Sequence, residues 1–441
     1  MKVAIVTMFN GLSSIYSLVN VVADQLQMLL DANISVKLLV SEHCPDGERT
    51  GVFADERIEW IKIINSDHDK IFHWRNYSSH ESIHDSFFRE AELISEAFQK
   101  HLADVDVCLL HDILYQGLHL VHNVAIRMAQ EKLPSLQFLA FTHSAPVPHK
   151  EEAYPKSCLY SPMPNTRYIY PSRSGIPMLM GQYGLSESDC ACVSNSINPL
   201  QGATEQTRKI NEAMDLCRKE ILIVYPARMS MAKGLHLLSE FAGTIKRVSG
   251  KSVGLIFCDF PAGDGCPRIY KQMIPDVGVK AGLAPEDILF TTDIGFPQGV
   301  SRETVYHLFT LSNLFICPSF SESFGLVVLE AASRGNYLVV NEAVLALKEL
   351  GETLGAHQMC WAARNYDKVS FPHYEPSEQE YFEAHAKTIV AEMEANPILQ
   401  AKTLAKSRFS PTWVFENQLL PLLKGENQSR LYYHQKPTAE M

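Results

Sequence analysis

The sequence predicts an α/β fold built from two doubly wound parallel sheets. Three observations carry that expectation. The chain has 441 residues, more than one hydrophobic core usually organises. Short β-type runs alternate with helical patterns from end to end, as βαβ units do. A polar, charged stretch at 201–220 separates two regions that carry the same alternation.

In the first region, residues 3–8 read as a buried strand ended by a turn at Asn10-Gly11. Leu18, Val22, Leu26 and Leu30 recur every four residues on one helical face, and 34–40 reads as the next strand, completing a βαβ unit. A further apolar helical stripe is expected through Phe87, Phe88, Leu93 and Phe98, and strands at 105–110, 137–141, 168–170 and 191–193 complete the sheet. The second region opens with a strand at 221–225 and a helix after Gly234, followed by strands at 253–258, 288–291, 314–317 and 337–340. The expected domains are therefore 1–200 and 201–410, with a helix at about 411–424 returning to the first and a polar tail at 425–441. In such sheets, ligands bind beyond the carboxyl ends of the strands, and a cleft between two such domains is the expected site. The proline-rich segment 145–166 is long for a loop and is expected to be functional or mobile.

Composition narrows the function. Hydrophobic residues make up 46% and charged residues 20%, which fits a globular protein and excludes disordered, collagenous and coiled-coil chains. With 39 Lys plus Arg against 50 Asp plus Glu, the net charge of −11 disfavours a nucleic-acid partner, although one compact anion can still bind locally. The ten cysteines, several inside apolar runs such as Val107-Cys108-Leu109, read as small buried hydrophobes, so a reducing, cytoplasmic setting is expected. The first apolar run is too short for a signal-peptide core, and no run approaches the roughly 18 apolar residues a spanning helix needs. Peripheral membrane contact stays open.

Chemistry concentrates in two loops of the second region. Pro318-Ser319-Phe320-Ser321-Glu322-Ser323-Phe324-Gly325-Leu326 follows a buried strand and opens a helix that contains Glu330. Ser323 is expected as N-cap, so that the amides of Phe324, Gly325 and Leu326 present free donors to an anion. Glu330, nearly two turns inside that helix among apolar neighbours, is costly to bury without partners. Arg228 and Lys233 stand in the loop after the 221–225 strand, where a planar guanidinium and a mobile ammonium suit a diphosphate.

Glu322 and Glu330, seven residues apart behind Pro318-Ser319 and around Ser323-Phe324-Gly325, resemble the E-x7-E signature of retaining glycosyltransferases of family 4, which have the GT-B fold. Arg228 and Lys233-Gly234 match that family's diphosphate-binding pair, and Phe409-Ser410-Pro411-Thr412-Trp413 resembles the crossing of its last helix back to the first domain. The resemblance implies that Glu330 holds the ribose, Glu322 the sugar hydroxyls and His143 the sugar from the opposite wall. It also places Gly11 near the phosphates. The N-terminal half matches less closely: Asn10 stands beside Gly11, and Ser194-Asn195-Ser196-Ile197-Asn198-Pro199 only partly follows the family's domain-junction segment.

His80-Glu81-Ser82-Ile83-His84 fits the H-E-x-x-H zinc pattern, but a chain with 17 histidines matches so short a pattern easily, and no metal site is expected. The G-x-S-x-G, G-x-x-x-x-G-K-[ST], C-x-x-C and G-x-G-x-x-G motifs are all missing where they would carry hydrolase, kinase, redox or dinucleotide chemistry. The expectation is a metal-independent retaining glycosyltransferase that needs no cofactor beyond its UDP- or GDP-sugar donor and acts on a hydroxyl acceptor. Two alternatives stand beside it: the same chemistry on a nucleic-acid base or protein, and a non-catalytic GT-B protein that binds a glycan or partner.

Overall fold

The computed structural model describes residues 1–65, 83, 86–261, 268–365 and 368–426. The chain divides into two units, Met1–Ser196 with the stretch from Pro411, and Ile197–Ser410. The H-E-x-x-H stretch, apart from Ile83, and residues 427–441 lie outside the described residues.

The first unit is a parallel sheet of β1 (Lys2–Val6), β2 (Ser35–Ser41), β3 (Ile58–Ile63), β4 (Val107–His111), β5 (Gln137–Phe141), β6 (Thr166–Tyr170) and β7 (Cys190–Cys192), in the order β3-β2-β1-β4-β5-β6-β7. Helices α1 (Ser17–Asp31), α2 (Ser86–Leu102), α3 (Leu120–Lys132) and α4 (Ile176–Tyr183) connect or flank these strands. Central β1 has Val3, Ala4, Ile5 and Val6 fully buried, as expected of a strand covered on both faces. On α1 the every-fourth-residue face of Leu18, Val22, Leu26 and Leu30 is the buried one. The C-terminal stretch adds Val414, Phe415, Leu419, Leu422 and Leu423 to the apolar layer around Val3, Ile5 and Val22.

The second unit repeats the plan with β8 (Ile221–Arg228), β9 (Val253–Phe260), β10 (Ile288–Phe290), β11 (Leu314–Cys317), β12 (Tyr337–Asn341) and β13 (His357–Met359), in the parallel order β10-β9-β8-β11-β12-β13. Its helices are α5 (Glu205–Met214), α6 (Leu235–Ser249), α7 (Arg268–Ala281), α8 (Arg302–Leu311), α9 (Leu326–Ala332), α10 (Leu345–Leu354), α11 (Glu378–Ala395) and α12 (Pro397–Arg408). Both sheets are Rossmann-like. In each, the strand order reverses about a central pair, β1/β4 and β8/β11, and the loops beyond those strand ends are the ligand positions of such a sheet.

Three expectations change. Strand β3 was not foreseen, because Glu59 and Lys62 interrupt its apolar pattern at the sheet edge. Leu93 is 47% exposed on α2, where Ile94 is buried beside Phe87 and Phe98 instead. The segment 145–166 is pinned rather than open over its second half: Cys158, Leu159, Tyr160 and Met163 are buried, and the Arg127 guanidinium donates to the carbonyls of Cys158, Ser161 and Pro162 at 3.0, 2.7 and 3.1 Å.

Candidate functional site

In the second unit, the cationic and acidic loops are joined through the backbone. Arg228 is the last residue of β8, one element earlier than the loop position expected for it, and its side chain is exposed. Lys233 closes a 3-10 turn, and Gly234 follows at φ 64°, where a Cβ would stand 2.7 Å from Pro318 O. Only glycine permits both the left-handed backbone and this approach. The approach lets Phe320 N donate to Ala232 O at 2.8 Å, and Ser319 Oγ to the same oxygen at 3.3 Å. From the far side, Asn341 Nδ2 at the end of β12 donates to Ser319 O at 3.0 Å. So held, Lys233 Nζ pairs directly with Glu322 Oε1, the two side chains being 24% and 16% exposed.

Ser323 does not cap the helix that follows. It is exposed in the loop, and the residue before α9 is Gly325, at φ 92° with Leu347 Cδ2 3.0 Å from where a Cβ would be. A left-handed glycine turns the chain into the helix more tightly than a serine in extended conformation would. Phe324 and Leu326, on either side, are 52% and 68% exposed. Because α9 begins only at Leu326, Glu330 is its fifth residue, a little over one turn in rather than two. Its carboxylate is 23% exposed and is not left unpaired: Arg302 Nη2 donates to Oε1 at 2.8 Å and Tyr306 OH donates to it at 3.3 Å. Arg302 and Arg334 both lie over the Tyr306 ring, at 5.1 and 5.0 Å from its centroid.

In the first unit, His143 follows β5. Its ring Nε2 lies 2.8 Å from Nδ1 of His111, the last residue of β4, and its backbone amide donates to Asp112 Oδ1 at 2.9 Å. Asp112 itself adopts φ 59° and donates its amide to Phe141 O, which ties the ends of β4 and β5 together. Burial pushes His143 down to about 4 and raises the Asp112 carboxyl. Gly11 lies after β1, but Glu48 Oε2 accepts from the Leu12 amide at 2.6 Å and would be 3.1 Å from a Cβ on Gly11. A carboxylate beside this loop opposes a phosphate there.

Sequence reasoning thus missed Glu48, Arg302 and Tyr306. Arg302 and Tyr306 are four residues apart and so share a helical face, a local signal, but nothing local shows that the face meets Glu330. A cavity of ≈ 860 Å³ lined by Arg167, Arg173, Met180 and Cys192 lies at the β7 edge and contains none of the candidate residues. Among the described residues, no cluster of three His, Cys, Asp or Glu side chains could hold a metal, and no helix is long and apolar enough to cross a membrane.

Residues 206–351, which contain both loops, Arg302 and Glu330, match the family model of the glycosyl transferases, group 1. The second unit therefore carries a domain of that glycosyltransferase family. The chain is 24% identical over 141 residues to a D-inositol 3-phosphate glycosyltransferase of Corynebacterium urealyticum, an alignment covering 31% of each. It thus spans about a third of that relative's length. Among solved structures, it is similar to a glycosyltransferase from Rickettsia africae (14% identity, TM-score 0.36, 96% of this chain and 98% of that one). It is also similar to a trehalose-6-phosphate protein of E. coli bound with UDP-2-fluoro glucose (12% identity, TM-score 0.38, 97% and 100%). The fold assignment rests on the strand orders given above.

Proposed function

We propose that this protein is a retaining glycosyltransferase that moves a sugar from a nucleoside-diphosphate sugar to an acceptor hydroxyl without a metal ion. The observation that carries the reading is the pair of joined loops at the ends of β8 and β11. They hold Lys233 against Glu322 in the segment that matches the glycosyltransferase family, with Arg228 at the end of β8 and Glu330 on the next helix.

Breaking the anomeric bond leaves its electron pair on the departing diphosphate. Arg228 and Lys233 neutralise that charge, and one well-aimed donor of this kind contributes about 3 to 4 kcal/mol to lowering a barrier. Glu322 accepts from the sugar hydroxyls and Glu330 from the ribose diol, while the turn formed by Ser323, Phe324, Gly325 and Leu326 borders the diphosphate. Because Lys233 and Glu322 already hold each other, donor binding is an exchange. The ammonium passes to the diphosphate, and the released carboxylate is satisfied by sugar hydroxyls. A bare nucleoside diphosphate takes the lysine and leaves the glutamate unpaired, so the site favours the complete donor. A reducing, cytoplasmic setting belongs to this reading, in keeping with the eight buried free thiols among the described cysteines.

Calorimetry with a panel of UDP- and GDP-sugars tests the binding, with the complete donor expected to bind more tightly than the bare diphosphate. Binding of none of them would sink the proposal. Anomeric proton couplings of the product test retention, and an inverted product would contradict it.

A further inference from the structure

His111 is fully buried, with the Phe141 ring against its face (centroids 4.8 Å apart, planes at 19°) and the His143 ring beside it, edge to edge and nearly coplanar (5.1 Å, 15°). Its Nδ1 is hydrogen-bonded to His143 Nε2 at 2.8 Å, whereas its Nε2 is buried without a partner. That orphan atom decides where the protons sit. A buried N–H with no acceptor forfeits its full hydrogen bond to water, and orphaned N–H groups are rarer in proteins than under-used acceptors. The orphan is therefore the bare nitrogen, and the single proton of neutral His111 is on Nδ1. It donates to His143 Nε2, which must then be the unprotonated nitrogen of its ring. His143 in turn carries its proton on Nδ1.

Both rings are neutral at pH 7. Burial lowers His111 well below its usual range, with the neighbouring His143 as a second cause, and burial alone lowers His143 to about 4. The Asp112 carboxylate accepts from the His143 backbone amide.

We infer that His111 is a positioning residue that fixes His143 as an Nδ1–H donor, so that His143 offers a hydrogen bond to a ligand oxygen and keeps no ring lone pair free to take a proton. His143 accordingly acts as a hydrogen-bond donor and not as a general base.

Two-bond proton–nitrogen correlations on the full chain labelled with 15N-histidine read the tautomers directly, with His143 assigned by comparison with His143→Gln. The expected spectrum at pH 7 has both rings neutral and protonated on Nδ1. An Nε2–H signal from His143, or a charged ring, overturns the inference. His111→Phe keeps the stack on Phe141 but removes the donor. It should bring out the Nε2–H form of His143, whose Nε2 then has no donor to accept from. His111→Asn, whose amide donates from near the Nδ1 position, should restore the wild-type tautomer. An unchanged His143 tautomer in His111→Phe overturns the inference, and if that variant fails to fold, the wild-type spectrum decides alone. The tautomer is read without any donor present. The expected tautomer with no nucleotide-sugar binding would therefore sink the transferase reading and leave the histidine pair standing, and the reverse result would do the opposite.

Discussion

In the second unit, charged candidates hold one another, Lys233 with Glu322 and Glu330 with Arg302 and Tyr306, while Arg228 stands exposed. The strand-end histidines of the first unit are neutral, His111 fully buried and His143 half-buried, and they share one hydrogen bond beside Phe141. The same Rossmann-like architecture thus offers two kinds of strand-end surface. A charged surface binds an ion by exchanging partners, since Coulomb attraction can be handed from one partner to another. A neutral, dehydrated surface binds through the direction of its hydrogen bonds, since it has no charge to exchange.

The sharpest way to break this comparison is Arg228→Ala. Arg228 is exposed and at the end of β8, so truncation should leave the fold intact and slow sugar transfer by ~10²- to 10³-fold, read in steady-state kinetics at saturating acceptor. A rate within twofold of wild type would remove the diphosphate from this loop.

Acid should separate the units next. His119 is held down to about 3, and His122 and His143 to about 4, all by burial and all in the first unit. An unfolded histidine titrates near 6.5, so below that pH the unfolded chain gains protons that the native unit refuses. Stability present above pH 6.5 is lost as the pH falls toward 4, by up to about 1.4 kcal/mol per pH unit for each such ring. In the second unit, His385 is the histidine held near 4, and it is less deeply buried. Hydrogen exchange corrected for intrinsic rates should therefore show the first unit losing protection first between pH 6.5 and 4.5. Earlier loss in the second unit would contradict this account.

A smaller effect tests the partners of Glu330. Arg302→Ala frees a carboxylate that is only 23% exposed, and Glu330→Gln removes its charge. Both should change nucleotide affinity by ~5- to 10-fold with little change in kcat, and Glu330→Gln should weaken it. Calorimetry that found neither variant altered would detach Glu330 from the nucleotide.

The smallest effect is also the most diagnostic of partner exchange. Glu322→Gln leaves Lys233 without its carboxylate, so a bare nucleoside diphosphate should bind ~3-fold more tightly even as sugar transfer slows. Weaker diphosphate binding would show that the pair does not compete with the ligand.

Much of this was legible in the chain. The parallel sheets follow from short apolar runs that alternate with helical periodicity, and the residues of both charged loops stood out because their types and spacing are local. The failures are equally specific. Ser323 looks like a cap until Gly325 is seen to take the left-handed turn, and Glu330 looks nearly two turns inside its helix until α9 proves to begin at Leu326. Edge strand β3 was masked by Glu59 and Lys62, which an edge tolerates and a central strand would not.

By itself, the sequence determined the repeating α/β plan and the chemical types gathered after β8 and β11, because periodicity and motif spacing are properties of neighbours in the chain. Only the tertiary structure decided which of those groups hold one another. Lys233 and Glu322 are 89 residues apart, His111 and His143 are 32 apart, and Arg302 and Glu330 are 28 apart. Hydrogen bonds and dehydration act over a few ångströms of space, and the order in which the strands pair sets which distant residues come within that range.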